Sequence, residues 1–252
     1  MANLQFSNIL GRMIRKEGIE ELGVGTVHVI DDLIDKGRSE EAKAMVEYFR
    51  TEMQVVHDIY VHYVQDLLAY IAKTYGEEQV EHAFRAALGT WFAERYEAYN
   101  KMSLKERVQL TAEGMRCHLD GPARKGDFTL TEEKERFVFQ WDPCGSGGAL
   151  RRSAAAAGRE VESAKEAHSW TWGKKNVCLY CSHCSLVNEI LPIEHFGYPN
   201  RITQYPENPG DPCTWYIYKD PDDIPEEYYE RIGKTKPPRR ATAQPGSASA
   251  SV

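Results

Sequence analysis

The chain has 252 residues, 42% apolar and 27% charged, with a mean hydropathy of −0.56. That composition excludes collagen-like, wholly disordered and membrane-embedded classes, and the length suits one large domain or two small ones. No apolar run approaches the ~18 residues of a membrane helix, and a net charge of −7 argues against sequence-independent nucleic-acid binding, which needs a basic surface.

From Asn8 to about Gly114 the pattern is helical. Ser39 is a plausible N-cap for an amphipathic stretch to Phe49. Val55, Val56, Ile59, Tyr63, Leu67, Leu68 and Ile71 then recur at three- and four-residue steps along one helix face. Gly76 stops that helix, and Val80, Phe84, Ala87, Leu88, Trp91 and Phe92 mark the next. These apolar faces need one another, which predicts a helical bundle over residues 1–120.

From Gly121 onward Pro, Gly and aromatic residues rise. Arg136–Trp141 and Cys213–Tyr218 read as strands. The second alternates, with Cys213, Trp215 and Ile217 on one face. Ala154–His168 between them is rich in helix formers, Ser185–His195 has the apolar spacing of a short helix ended by Pro192, and Pro225 starts a short terminal helix. Residues 121–233 are therefore expected to form a small cysteine-rich α+β domain, on which the bundle packs. Residues 234–252, almost free of large apolar side chains, should be a disordered tail.

Five of the six cysteines lie between residues 144 and 213. The opening MANLQFSNILGRMIRKEG lacks the apolar core of a signal peptide, so a cytoplasmic location is expected. In a reducing compartment such a cluster reads as metal binding or redox chemistry. Cys178, Cys181 and Cys184 form C-x2-C-x2-C, and three thiolates confined to so short a segment repel one another unless a cation neutralises them. A fourth ligand is needed for a tetrahedral site: Cys213 first, Cys144 second, with His183 and His195 also in range of the motif. Zinc suits such a set. A [4Fe–4S] cluster is the alternative, since a C-x2-C-x2-C run with a remote cysteine is how such clusters are held.

The motif is crowded by groups that can move protons. His118, His183, Glu189 and His195 are the candidate acid–base residues. Cys144, followed by Gly145-Ser146-Gly147-Gly148, is a candidate nucleophile whose neighbours could supply backbone N–H groups. That glycine run lacks the Lys-Ser/Thr of a phosphate loop, which argues against a nucleotide site. His57 and His62, five residues apart on a helix, diverge too far to share a metal.

The cysteine triple, followed about thirty residues later by Gly210, Asp211, Cys213 and Trp215, resembles the L-2-amino-thiazoline-4-carboxylic acid hydrolase-like family. The likeness covers the C-terminal third. It implies an α+β fold and hydrolysis of a C–N or C–S bond in a small ring. The expectation is a metal-thiolate hydrolase or lyase acting on a small molecule, as a monomer or a homo-oligomer, with no nucleic-acid or membrane partner. An iron–sulfur redox protein and a zinc-stapled interaction module are the alternatives.

Overall fold

The computed structural model describes residues 4–239. The chain is a mixed helix and sheet protein, 51% helical and 12% strand. Among the described residues no helix is long and apolar enough to cross a membrane. The chain divides into two compact units, residues 1–60 and 61–252.

The first unit opens with an antiparallel hairpin, β1 (Leu4–Ser7) on β2 (Arg12–Arg15). Helices α1 (Thr26–Asp35) and α2 (Ser39–Tyr75) follow, and α2 contributes its residues up to Tyr60 here. Leu33, Ala42, Met45 and Tyr48 form the buried core, with Leu4, Val29 and Ile30 against them. The amphipathic stretch from Ser39 and the periodic stretch after Val55 are thus one helix. Nothing between them breaks it, and Gly76, at φ +102°, ends it.

The second unit takes the rest of α2, then α3 (Glu78–Lys101) and α4 (Leu104–Arg116). A reciprocal capping box starts α4: Ser103 Oγ accepts from Glu106 N, and the Glu106 carboxylate accepts from Ser103 N. A four-stranded antiparallel sheet has the order β3-β4-β6-β5, with β3 Thr129–Glu132, β4 Arg136–Trp141, β5 Ile202–Gln204 and β6 Cys213–Tyr218. In the β4–β6 register Trp141 faces Cys213, Phe139 faces Trp215 and Phe137 faces Ile217. The expected alternation holds: Trp215, Ile217 and Cys213 turn to one core, shared with Phe139 and Trp141 and with Val108 and Met115 of α4. A second core joins Leu68, Val80 and Phe84 to Trp170, Trp172, Leu179, Leu186 and Ile190. Helices α3 and α4, which precede residue 121, thereby share one unit with every cysteine segment.

Two local expectations change. The stretch from Ala154 to His168 is not one helix: α5 runs Gly147–Ala156 and stops before Gly158, which is left-handed at φ +63°. The segment after Cys184 does not end at Pro192. Helix α6 (His183–Ser185) passes through a π turn, Leu186–Ile190, into α7 (Leu191–Phe196). Proline has no N–H to give the Asn188 carbonyl four residues back. That carbonyl instead accepts from Asn200 N at 2.9 Å and Arg201 N at 3.2 Å. The widened turn thus satisfies its own backbone and fixes the approach to β5. The terminal helix appears as α8, Glu227–Glu230. The tail expected over 234–252 lies, from residue 240 onward, outside the described residues.

Candidate functional site

The cysteine-bearing segments come together at one end of the sheet. Cys144 follows β4, Cys213 opens β6 opposite Trp141, Cys181 lies on the turn entering α6 and Cys184 on α6 itself. Cys144, Cys184 and Cys213 all pack against the aromatic core of Phe139, Trp141 and Trp215. Cys144 is the centre of the group. Its charge would act on Cys181, Cys184 and Cys213 alike, and each of those three thiols is held more strongly protonated for that reason among others. Burial is the largest influence raising Cys144, Cys184 and Cys213, whereas for Cys181 the bond to Cys178 comes first. All four keep part of their surface accessible, and no disulfide joins any of them.

Close backbone packing builds the Cys144 side. A Cβ on Gly145 would collide with the carbonyls of His118 and Leu119, and one on Gly147 would overlap the Cys181 sulfur. Glycine is required at both places because main chain and sulfur already occupy that space. Gly148 N–H points to Cys144 Sγ at 3.4 Å. The Arg152 guanidinium holds the Cys144 carbonyl at 2.8 Å and Arg124 the Gly145 carbonyl at 2.9 Å. Asp120, fully buried, accepts from Gly145 N at 2.6 Å through Oδ1, while Oδ2 has no hydrogen-bond partner among the described residues. Burial pushes the Asp120 carboxyl up to about 7 against the opposing pull of Gly145 N–H, Arg124 and Arg152.

Cys178 touches the group through Cys181 but is turned toward Gln65. It is 1% exposed, and its sulfur is 3.4 Å from Gln65 Oε1. The same oxygen accepts from Tyr180 N at 2.8 Å, and Gln65 Nε2 donates to Glu162 O at 2.8 Å. One buried amide on α2 therefore clamps the whole thiol loop. Cys178 is held below the usual thiol range, first by the bond to the Cys181 side chain and then by the Cys181 and Tyr180 N–H groups. The Cys178 S–H donates to Gln65 Oε1, and its side chain bonds Cys181.

The proposed proton-transfer residues separate in the fold. His183 lies beside the thiols: Nδ1 is 2.6 Å from Tyr180 O, and Nε2 is 3.5 Å from Cys184 Sγ. The carbonyl fixes the proton on Nδ1, so Nε2 is the acceptor facing the thiol. Burial lowers the His183 pKa and keeps the ring neutral. Glu189, in the π turn, is fully buried and has both oxygens engaged: Oε1 by Trp172 Nε1 and Thr203 N, each at 2.8 Å, and Oε2 by Arg231 at 2.7 Å. Burial raises its pKa despite Arg231, and its carboxylate ties the π turn to β5 and the C-terminal segment. His195 lies exposed on α7, its ring 5.4 Å from that of Tyr96. The His118 backbone borders Gly145.

Among the described residues no group of three or more His, Cys, Asp or Glu side chains is arranged to hold a metal ion. Gln65 and Asp120 carried no signal in the sequence, because each acts on residues far along the chain. No family model matches this chain, and neither a curated protein nor a solved structure is significantly similar to it.

Proposed function

We propose that Cys144, Cys181, Cys184 and Cys213 hold an iron–sulfur cluster and that the protein is a redox protein of the cysteine-rich α+β class. The observation that carries this reading is that Cys144, Cys184 and Cys213 pack on one aromatic core while the Cys181 sulfur abuts Gly147 of the Cys144 loop. Their charges interact, yet no three are arranged to hold one ion. A cluster binds each cysteine to a different iron, which sets the sulfurs wider apart than a single zinc ion does. A donor already faces one sulfur, Gly148 N–H toward Cys144, and such bonds tune a cluster's potential. Zinc, the first expectation from the motif, uses the same thiolates at closer quarters.

A second reading rests on the Cys184–His183 contact. A thiol next to an imidazole whose tautomer is fixed by a third group is the arrangement of a nucleophile and its base. That pair supports the hydrolase expectation, cleavage of a C–N or C–S bond in a small molecule.

Anaerobic purification followed by iron, sulfide and zinc analysis and a visible spectrum separates the two. The cluster reading expects a brown protein absorbing near ~400 nm, with about four irons per chain, lost in Cys144→Ala. Colourless protein that takes up no iron on reconstitution overturns it. Alkylation of Cys184 that then depends on His183 would favour the hydrolase.

A further inference from the structure

We propose that Arg107 and Arg201 form a receptor for the carboxylate of a small organic acid beside the thiol centre. The inference rests on the reading of the thiol group as a functional centre, and it supplies the chemical class of its ligand.

Half-buried arginines elsewhere in this chain have acidic or backbone partners. Arg85 binds Glu81 and Glu194, Arg136 binds Glu133, and Arg231 binds Glu189. Arg124, Arg151 and Arg152 bind backbone carbonyls. Arg107 differs. Among the described residues its guanidinium has no acidic partner, and its buried Nε has no hydrogen-bond partner. Its carbon lies 5.7 Å from the centroid of the Tyr99 ring.

Arg201 sits at the same distance, 5.7 Å, from that ring and 5.3 Å from the Trp215 ring. Among the described residues it donates to neutral groups alone, Thr111 Oγ1 and Asn188 Oδ1, both at 3.1 Å. Those two bonds orient the guanidinium without neutralising it. Two charges are thus without an acidic partner beside one ring, on a chain with 38 acidic residues against 31 basic. A half-buried guanidinium left unpaired calls for an explanation, and a bound anion supplies one.

Planar guanidinium matches carboxylate better than ammonium does, and the aromatic walls of Tyr99 and Trp215 favour an organic body over a bare inorganic ion. The place adjoins the thiols: Trp215, whose ring lies by Arg201, belongs to the core on which Cys144, Cys184 and Cys213 pack, and the Arg201 charge acts on Cys184.

Saturation-transfer NMR of the full chain with propanoate tests the assignment, with propanamide as the neutral isostere and inorganic phosphate as the competing anion. Propanoate should bind and propanamide should not. Arg107→Gln and Arg201→Gln should each weaken propanoate at least about tenfold, as loss of a charge-assisted bond requires. Arg107→Lys should lose less than Arg107→Gln, a graded response that a merely misfolded variant would not give. Equal binding of propanamide, stronger binding of phosphate, or undiminished propanoate binding in both Gln variants would overturn the proposal. Metal content measured on the same samples is independent. Propanoate binding without a metal would sink the cluster reading alone, and a loaded centre that binds no propanoate would sink this one alone.

Discussion

At the scale of single residues, the site depends on atoms that are missing as much as on those present. Gly147 faces the Cys181 sulfur with no room for a methyl group. Gly147→Ala should cost about 1–3 kcal/mol of stability, the usual penalty for overpacking, and should lower metal uptake by displacing Cys181. Urea unfolding and metal analysis on one preparation check both. The spacing of Cys178, Cys181 and Cys184 made a thiol site legible in the sequence, but not its membership. Cys178 is turned toward Gln65, more than a hundred residues upstream, and Cys144 becomes central because Asp120, Arg124 and Arg152 pin its loop. Such partnerships are tertiary, and no local pattern announces them.

Elements tell the same story from another side. The strands at 136–141 and 213–218 and the face carrying Trp215 and Ile217 were readable, because period-two alternation reflects one buried face. The π turn was not, since its widening answers to Pro192 and to the demands of Asn200 and Arg201 together. The start of α3 carries a latch of similar kind. Glu77 accepts from Lys165 N at 2.6 Å, Glu166 N at 3.2 Å and His168 Nε2 at 2.9 Å, which ties the loop before Trp170 to the helix. Burial opposes the Glu77 charge, but these bonds outweigh it and hold the carboxyl below its usual range. Its contribution is therefore present above the ordinary carboxylate pKa and lost as pH falls through the lowered one. Glu77→Gln should cost about 1–2 kcal/mol at pH 7, and the gap from wild type should shrink at a pH below the ordinary carboxylate range. Urea midpoints at the two pH values decide it.

For the whole molecule, the centre gathers the ends of β4 and β6 and the turn into α6, segments about 30–70 residues apart in sequence. A bound metal that joins them stabilises the folded state by mass action, and it displaces thiol protons when it does so. Loading should raise the thermal midpoint of the chain, more at pH 8 than at pH 6, and Cys144→Ala should abolish the increment. Equal midpoints for loaded and stripped wild-type protein would show that the centre does not tie the fold together.

The Asn188 carbonyl, released by Pro192 and captured by two amides of the following loop, makes chain length there a matter of phase. Removing one residue between Leu186 and Ile190 would let an ordinary α-helix form. It would also swing Cys184 about 100° around the axis relative to Leu191, so that sulfur and loop could no longer be right at once. A one-residue deletion in this turn should therefore be harsher than most substitutions within it.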